Sequence, residues 1–157
     1  MSDLIKSPFQ LMDNRISKLE INNQLVSFNQ ECLIREISKL DYTITDIDES
    51  GDNLIGVLHL TIELKGKIDE KEAFSIILHI EGAFEGNKEN LNKEQFTKML
   101  ELNGSTALYS IARGIIISVS SLCVIDGQIR LPMINMYDLY DKKHKSVEKD
   151  AQEEAHE

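Results

Sequence analysis

Two cysteines, Cys32 and Cys123, are all that the 157 residues contain, so no disulfide framework staples the chain. Basic residues are scarce beside acidic ones. Lys and Arg number 17 against 27 Asp and Glu, a net charge of −10. A duplex nucleic-acid binder needs a basic footprint to replace counterions on phosphates, and this composition excludes that class. Long apolar runs are missing too. The longest, Ile115 to Ile125, is broken by Ser118, Ser120 and Ser121 and is too short to span a bilayer, so no membrane insertion is expected. The opening MSDLIKSPFQ has no basic start, no apolar centre and no small-residue cleavage site, and a cytoplasmic location is the expectation. What the chain does have is a 41% hydrophobic share. That is too much for disorder and enough for the core of one domain.

The first two-thirds alternate with the period of strands. In LDYTITDID, Leu40, Tyr42 and Ile44 alternate with Asp41, Thr43 and Thr45, as a half-buried strand does. ESGDN then makes a turn. LIGVLHLTIELK sets Leu58, Leu60, Ile62 and Leu64 against His59, Thr61 and Glu63, and AFSIILHIEGAF sets Phe74, Ile76, Leu78 and Ile80 against Ser75, Ile77, His79 and Glu81. An antiparallel hairpin centred near Ile68–Asp69 unites the two apolar stripes. Upstream, Phe9 to Leu25 alternates with interruptions, which fits a bulged or bent strand. The stretch between Asn22 and Leu40 reads either as a helical turn or as the start of the second strand.

The last third changes period. Asn92 and Gln95 resemble a capping box before an apolar stripe of Phe96, Met99 and Leu100. Asn103-Gly104-Ser105 interrupts, with Ser105 as N-cap of a longer helix. In that helix Leu108, Ile111, Ala112, Ile115, Ile116, Val119, Leu122 and Cys123 recur at three and four residues. Ile117 and Val124 widen the stripe, so this helix is either wholly buried or shared with a partner subunit. Gly114 inside it fits a close helix–helix approach. Asp126 to Pro132 is a connector, and Asn135, with Asp138 three residues later, caps a final helix carrying Met136, Leu139 and Tyr140. Residues 1–143 form one domain. The charged segment 144–157 is expected to be a fraying helix end or a disordered tail.

Catalytic signatures fail individually. DIDESGD opens like a calcium loop, but its twelfth position is Val57 and strands flank it, so it reads as an Asx-rich turn. Gly86-Asn87-Lys88 lacks the second half of a phosphate-binding loop. The hairpin would set His59 opposite His79, only two ligands where a metal needs three or four, and both read as exposed polar residues. Cys32 and Cys123 read as small buried hydrophobes. No metal, no cofactor and no enzymatic activity are expected.

Three stretches together resemble the SecB family of export chaperones. One is the strand from Ala73-Phe74 through Gly82 and Phe84. The second is Leu108-Tyr109-Ser110-Ile111-Ala112-Arg113, similar to the family's LFPYARE. The third is Leu131-Pro132-Met133-Ile134-Asn135-Met136-Tyr137-Asp138-Leu139-Tyr140, similar to its LAPVNFDALY. With the first strand from Arg15-Ile16, the likeness covers residues 9 to 142 in order. It implies an α+β fold: a four-stranded antiparallel sheet, a long helix, a crossover loop and a second helix. It also implies a homotetramer joined through the long helices and first strands, here Leu108, Ile111, Ile115, Ile116 and Val119 on the helix. The implied activity is ATP-independent binding of unfolded, pre-secretory polypeptides in apolar grooves. The matching groove residues are Tyr42, Asp46, Phe74, Leu131, Ile134, Met136 and Tyr140, some of which must instead pack the second helix on the sheet.

The family passes cargo to SecA through acidic residues on the exposed sheet face. One of those positions matches Glu20, but the others fall on Gln24, Ser75 and Ile77, which weakens a SecA hand-off. Ser110 stands where the family has a proline, and the Phe-Glu-x-Pro-Asn segment after the first strand is absent. Diverged SecB-like proteins also serve one antitoxin of a toxin–antitoxin pair, a second reading. A third is a SecB-fold oligomer that binds one folded partner. An open apolar groove favours a holdase, and a groove filled by its own side chains favours the third reading.

Overall fold

The computed structural model describes residues 6–24, 33–123 and 128–154. Strands β1 (Phe9–Asn23), β2 (Leu33–Ile44), β3 (Asn53–Ile68) and β4 (Lys71–Asn87) form one antiparallel sheet in the order β1-β4-β3-β2. Helix α1 (Lys93–Met99) passes through one π-helical turn (Leu100–Gly104) into α2 (Ser105–Cys123), and α3 is Met136–Glu154. The undecided stretch before Leu40 is thus strand from Leu33 onward, extending β2 upstream. Leu25, Cys32 and Val124 to Gly127 lie outside the described residues.

The period-2 pattern decides which face of the sheet is dry. Leu58, Leu60, Ile62, Ile76, Leu78 and Ile80 are fully buried, and cross-strand pairs Leu60–Ile80, Ile62–Leu78 and Leu64–Ile76 bring the stripes together. The hairpin is centred later than the composition of its turn indicates. Ile68 pairs with Lys71 across Asp69 and Glu70, both with positive φ (48° and 64°), the geometry of a tight two-residue turn. A register shift between Gly66 and Lys67 then restores parity. The consequence is a correction: His59 pairs with Glu81, and His79 pairs with Thr61. β1 has register shifts at Leu11/Asp13 and Ile16/Lys18, the bulges that its broken alternation predicts.

Glycines let the helices lie close on this sheet. A Cβ on Gly82 would stand 2.8 Å from Leu108 Cδ2, and one on Gly86 would stand 2.4 Å from Phe96 Cδ2. Both distances are below contact, so these positions are where α1 and α2 touch the strands. Phe9 stacks on Phe84 at 5.1 Å and tilts against Phe96 at 5.6 Å, closing that end of the core. The Asn92–Gln95 capping box forms as predicted, the side chain of each accepting from the backbone amide of the other.

Two helix expectations change. Asn103-Gly104-Ser105 does not end a helix; the π-helical turn carries the chain through. Ser105 is not an N-cap, because its hydroxyl donates back to the Glu101 and Leu102 carbonyls. Helix α3 begins at the predicted cap, with Asn135 Oδ1 accepting from the Tyr137 amide at 3.1 Å. It then runs to Glu154, so helix extends into the charged segment that begins at residue 144.

Glu70 sits in a left-handed conformation that disfavours any residue with a Cβ. Glu70→Gly should therefore raise unfolding free energy by about 0.5–1 kcal/mol in urea titrations, after allowance for the extra freedom glycine has in the unfolded chain. A loss of stability would show that the Glu70 side chain itself holds the turn.

Candidate functional site

The π-helical turn is where helix, sheet edge and α3 meet. It buries Leu100, Glu101, Leu102 and Gly104 together, which a regular α-helix lying on a flat sheet does not do with four of five consecutive residues. Gly104 faces Leu100 and Phe84, and a Cβ there would meet both at 3.4 Å, ordinary van der Waals contact.

Glu101 is the polar centre of this junction. The Tyr42 hydroxyl from β2 lies 3.4 Å from Glu101 Oε1, and His144 Nε2 from α3 lies 3.2 and 3.3 Å from the two carboxylate oxygens. Lys143, one residue before His144, reaches around the sheet edge. Its ammonium bonds Asp41 Oδ1 at 2.7 Å, donates to the Tyr42 carbonyl and sits 4.6 Å from the centre of the Tyr42 ring. Tyr140 packs on His144 with ring centres 4.2 Å apart. The Tyr42 carbonyl belongs to an edge strand, so Lys143 also covers a backbone acceptor otherwise open to strand addition. Three elements are thus clamped by one carboxylate and one ammonium. Among the described residues, no buried side-chain polar atom lacks a partner.

On the other flank of the same turn, two concavities of about 320 and 280 Å³ meet at Leu102, Asn103 and Tyr137. Leu91 and Met99 line the first, Ala107 and Met136 the second, and Gln95 and Lys98 stand at the rim. Tyr137 is 65% exposed and Met133 is 81% exposed, unusual values for residues of this type. Methionine and tyrosine walls around a leucine floor suit varied apolar ligands, because thioethers and rings re-pack without fixing hydrogen-bond register. Nothing in the cluster supplies a nucleophile with a base, and among the described residues no group of three His, Cys, Asp or Glu converges as a metal site.

The predicted groove residues are divided by this geometry. Met136 lines the open groove. Tyr42 and Tyr140 belong to the clamp, Leu131 is buried, and Ile134 is half-buried against the core. Asp46 is exposed in the loop after β2, where its charge acts on Lys93. Phe74 is separated from this region: it is buried over Gly66, six residues along β3 from the Leu60 that pairs with Tyr42, roughly 20 Å away at strand spacing. Leu102, Met99 and Tyr137 were not anticipated. For Leu102 the available signal was the continuation of the apolar stripe of Phe96, Met99 and Leu100 toward Asn103-Gly104, which the turn-forming residues masked.

The expected oligomer set also divides. Leu108 and Ile116 are 0% exposed and belong to the chain's own core, whereas Ile111, Ile115 and Val119 are only half-buried. Between them the outward face of α2 shows Ser110, Gly114 and Ser118. The helix-side stripe of β1 is poorly covered as well, with Leu11, Ile16 and Leu19 exposed by 37%, 46% and 39%. By length and composition the helical run Lys93–Leu122 is also apolar enough to cross a membrane, a property it shares with core helices.

Glu20, Gln24, Ser75 and Ile77 do come together. Glu20 pairs with Ile77 and Asn22 with Ser75 on the face opposite the helices, and the Gln24 amide extends the pairing to the Ala73 carbonyl. Carboxylates on this face have basic neighbours: Arg15–Glu81 at 2.6 Å, Lys67–Glu36 at 2.8 Å, Lys18–Glu20 at 3.4 Å and Lys39–Glu63 at 3.9 Å. His59 Nδ1 adds a second contact to Glu81 at 3.2 Å. The Asn22 amide and then Lys18 hold the Glu20 carboxyl below its ordinary range. Exposed pairs of this kind add little stability, but they cancel the local field.

With this geometry in place, comparison with known proteins gives a fold. No protein-family model matches the chain, and no curated protein matches it in sequence. Among solved structures it is similar to the Mycobacterium tuberculosis Rv1957 SecB-like chaperone in complex with a ChAD peptide from the Rv1956 HigA1 antitoxin. The TM-score is 0.66 at 12% identity, over 81% of this chain and 91% of that one. A protein of unknown function from Streptococcus agalactiae is similar at TM-score 0.47 and 11% identity, over 80% of this chain and 97% of that one. The four-stranded sheet, long helix and second helix are therefore a SecB-like fold.

Burial first, and then the Glu101 carboxylate beside it, push the Tyr42 phenol well above its ordinary value. A raised folded-state value means that this phenol's contribution is intact below the unfolded value, about pH 10, and is lost as pH climbs further. The urea midpoint should fall between about pH 9 and pH 11, and Tyr42→Phe should flatten that fall. An unchanged alkaline slope in the variant would show that Tyr42 ionises freely.

Proposed function

We propose that this protein is a SecB-like, ATP-independent chaperone that holds unfolded or pre-secretory polypeptides by extended apolar segments. The observation that supports it best is the open groove at Leu102, Met136 and Tyr137 in a fold shared with a chaperone. An open groove also favours a holdase over a SecB-fold module with one folded partner, although several of the groove residues implied by the family likeness are closed over by the chain itself. The unfolded client is the partner, no cofactor takes part and no reaction is catalysed. The site of action is the cytoplasm.

Two observations favour a second reading, a chaperone dedicated to an antitoxin. The similar Rv1957 structure holds a peptide from an antitoxin. The sheet face that would meet SecA carries carboxylates already paired with lysine, arginine and histidine, which removes the attraction a basic partner would feel. We propose that SecA is at most a weak partner and that protein export is not the only route served.

Assembly completes the reading. The half-buried Ile111, Ile115 and Val119 of α2 and the exposed Leu11, Ile16 and Leu19 of β1 need a second copy to cover them, and a homotetramer is the proposed state.

Tyr137→Asp should weaken suppression of client aggregation at least about tenfold, as loss of an exposed aromatic anchor does, and leave helix content unchanged by circular dichroism. Full activity in that variant would remove the groove from the site. Ile115→Asp should lower the mass seen by light scattering while the fold persists, because it sets a charge in an apolar contact. Ile116→Asp should unfold the chain instead, since Ile116 is enclosed in the core. A monomeric wild type at micromolar concentration would overturn the tetramer.

A further inference from the structure

The crossover between α2 and α3 returns along the helix it has just left. Its side chains alternate: Gln128, Arg130 and Pro132 are exposed, while Ile129 and Leu131 are buried in the core. Three α2 side chains hold its main chain. Ser120 Oγ accepts from the Ile129 amide at 2.8 Å, Arg113 Nε donates to the Leu131 carbonyl at 3.1 Å, and the Tyr109 hydroxyl donates to the Pro132 carbonyl at 2.8 Å. Positions 109, 113 and 120 share one side of a helix, and the crossover meets them in reverse order, so the two run antiparallel.

These three contacts read only backbone. Arg113 is the telling residue. In a chain with 27 acidic side chains, its guanidinium has no carboxylate partner among the described residues. It bonds a carbonyl instead and places Nη1 2.9 Å from Met133 Sδ. A planar fork with five donors, set against main-chain oxygen, holds an extended chain whatever its sequence. Alternate apolar side chains entering a dry floor complete the description of a bound extended polypeptide. Immediately beyond the last tether lies exposed Met133, and then Met136 and Tyr137 of the open groove. Along the chain, the crossover track therefore leads into the wall of the groove.

We infer that the Tyr109–Arg113–Ser120 ridge is a main-chain reader for extended apolar polypeptide, and that residues 128–132 are its resident occupant, which a client displaces. This rests on the chaperone reading and adds to it a second stretch of binding surface and a built-in competitor. Being tethered, the occupant competes at high effective concentration, so clients bind only the fraction of molecules in which it is unseated.

Hydrogen exchange of the intact protein tests this, with and without saturating reduced, carboxymethylated α-lactalbumin as the unfolded probe. Client binding should speed exchange at Ile129 and Leu131 by about tenfold or more while α2 stays protected. The double variant Ile129→Ser, Leu131→Ser, which loosens the occupant, should bind the probe about tenfold more tightly, if the seated form holds about nine-tenths of the molecules. Probe binding with undiminished protection of 128–131 overturns the inference and leaves the chaperone intact, because the crossover is then only a wall of the groove. Weaker binding by a folded double variant does the same. If the double variant fails to fold, the wild-type exchange result decides alone. No probe binding by the wild type overturns the chaperone reading and the inference together.

Discussion

Close approach of the long helix to the sheet is the constraint on which the rest depends. Leu108 over Gly82 and Phe96 over Gly86 bring helix and strands nearer than any side chain on those strand positions would allow. Both contacts lie on one helical run, with the π-helical turn between them. That turn buries four of its five residues, and it presents Glu101 to β2 and α3 while Leu102 lines the groove. The clamp and the groove are consequently two sides of one backbone irregularity. A regular helix through Leu100–Gly104 would shift the side chains after it by about a quarter turn and separate them.

Much of this fold was legible in the sequence because alternation and helical period are local properties. The stripes Leu58 to Leu64 and Phe74 to Ile80, the Asn92 capping box and the Asn135 cap needed no tertiary information. Register was harder. Asp69-Glu70 makes a tight turn without the glycine or asparagine that usually marks one, so the hairpin centre shifted and His59 was assigned the wrong neighbour. Asn103-Gly104-Ser105 gave the opposite error, a break signal inside a helical run that continues through a π-helical turn.

The site was less legible than the fold. Glu101, Ser105 and Ser120 stand on the buried stripe with Leu108, Ala112 and Ile116, and polar residues inside an apolar stripe are a signal that something polar awaits them. Ser105 finds its partners within its own helix, but those of Glu101 and Ser120 come from residues 42, 129 and 144, between 9 and 59 positions away. No sequence period connects them. Tyr42 and Leu131 were singled out through family likeness, but their burial follows from how this chain fills its own interior.

The helix layer is held together by bonds of unlike character. Near its start α3 is packed by Met136 and Leu139; by His144 it depends on a carboxylate, a ring contact and an ammonium one residue away. From Lys145 to Val147 every side chain is exposed. Attachment therefore weakens from the groove outward and becomes more polar as it does so. Water can replace a polar contact at little net cost, whereas an apolar one separates only by exposing surface. The groove wall at Met136 and Tyr137 is thus the firm end of α3, and a ligand there meets a surface fixed by the core. An adaptable surface on a fixed wall suits ligands that share apolar character and an extended backbone but little sequence, because adaptation is left to methionine and tyrosine rotamers and the backbone need not move.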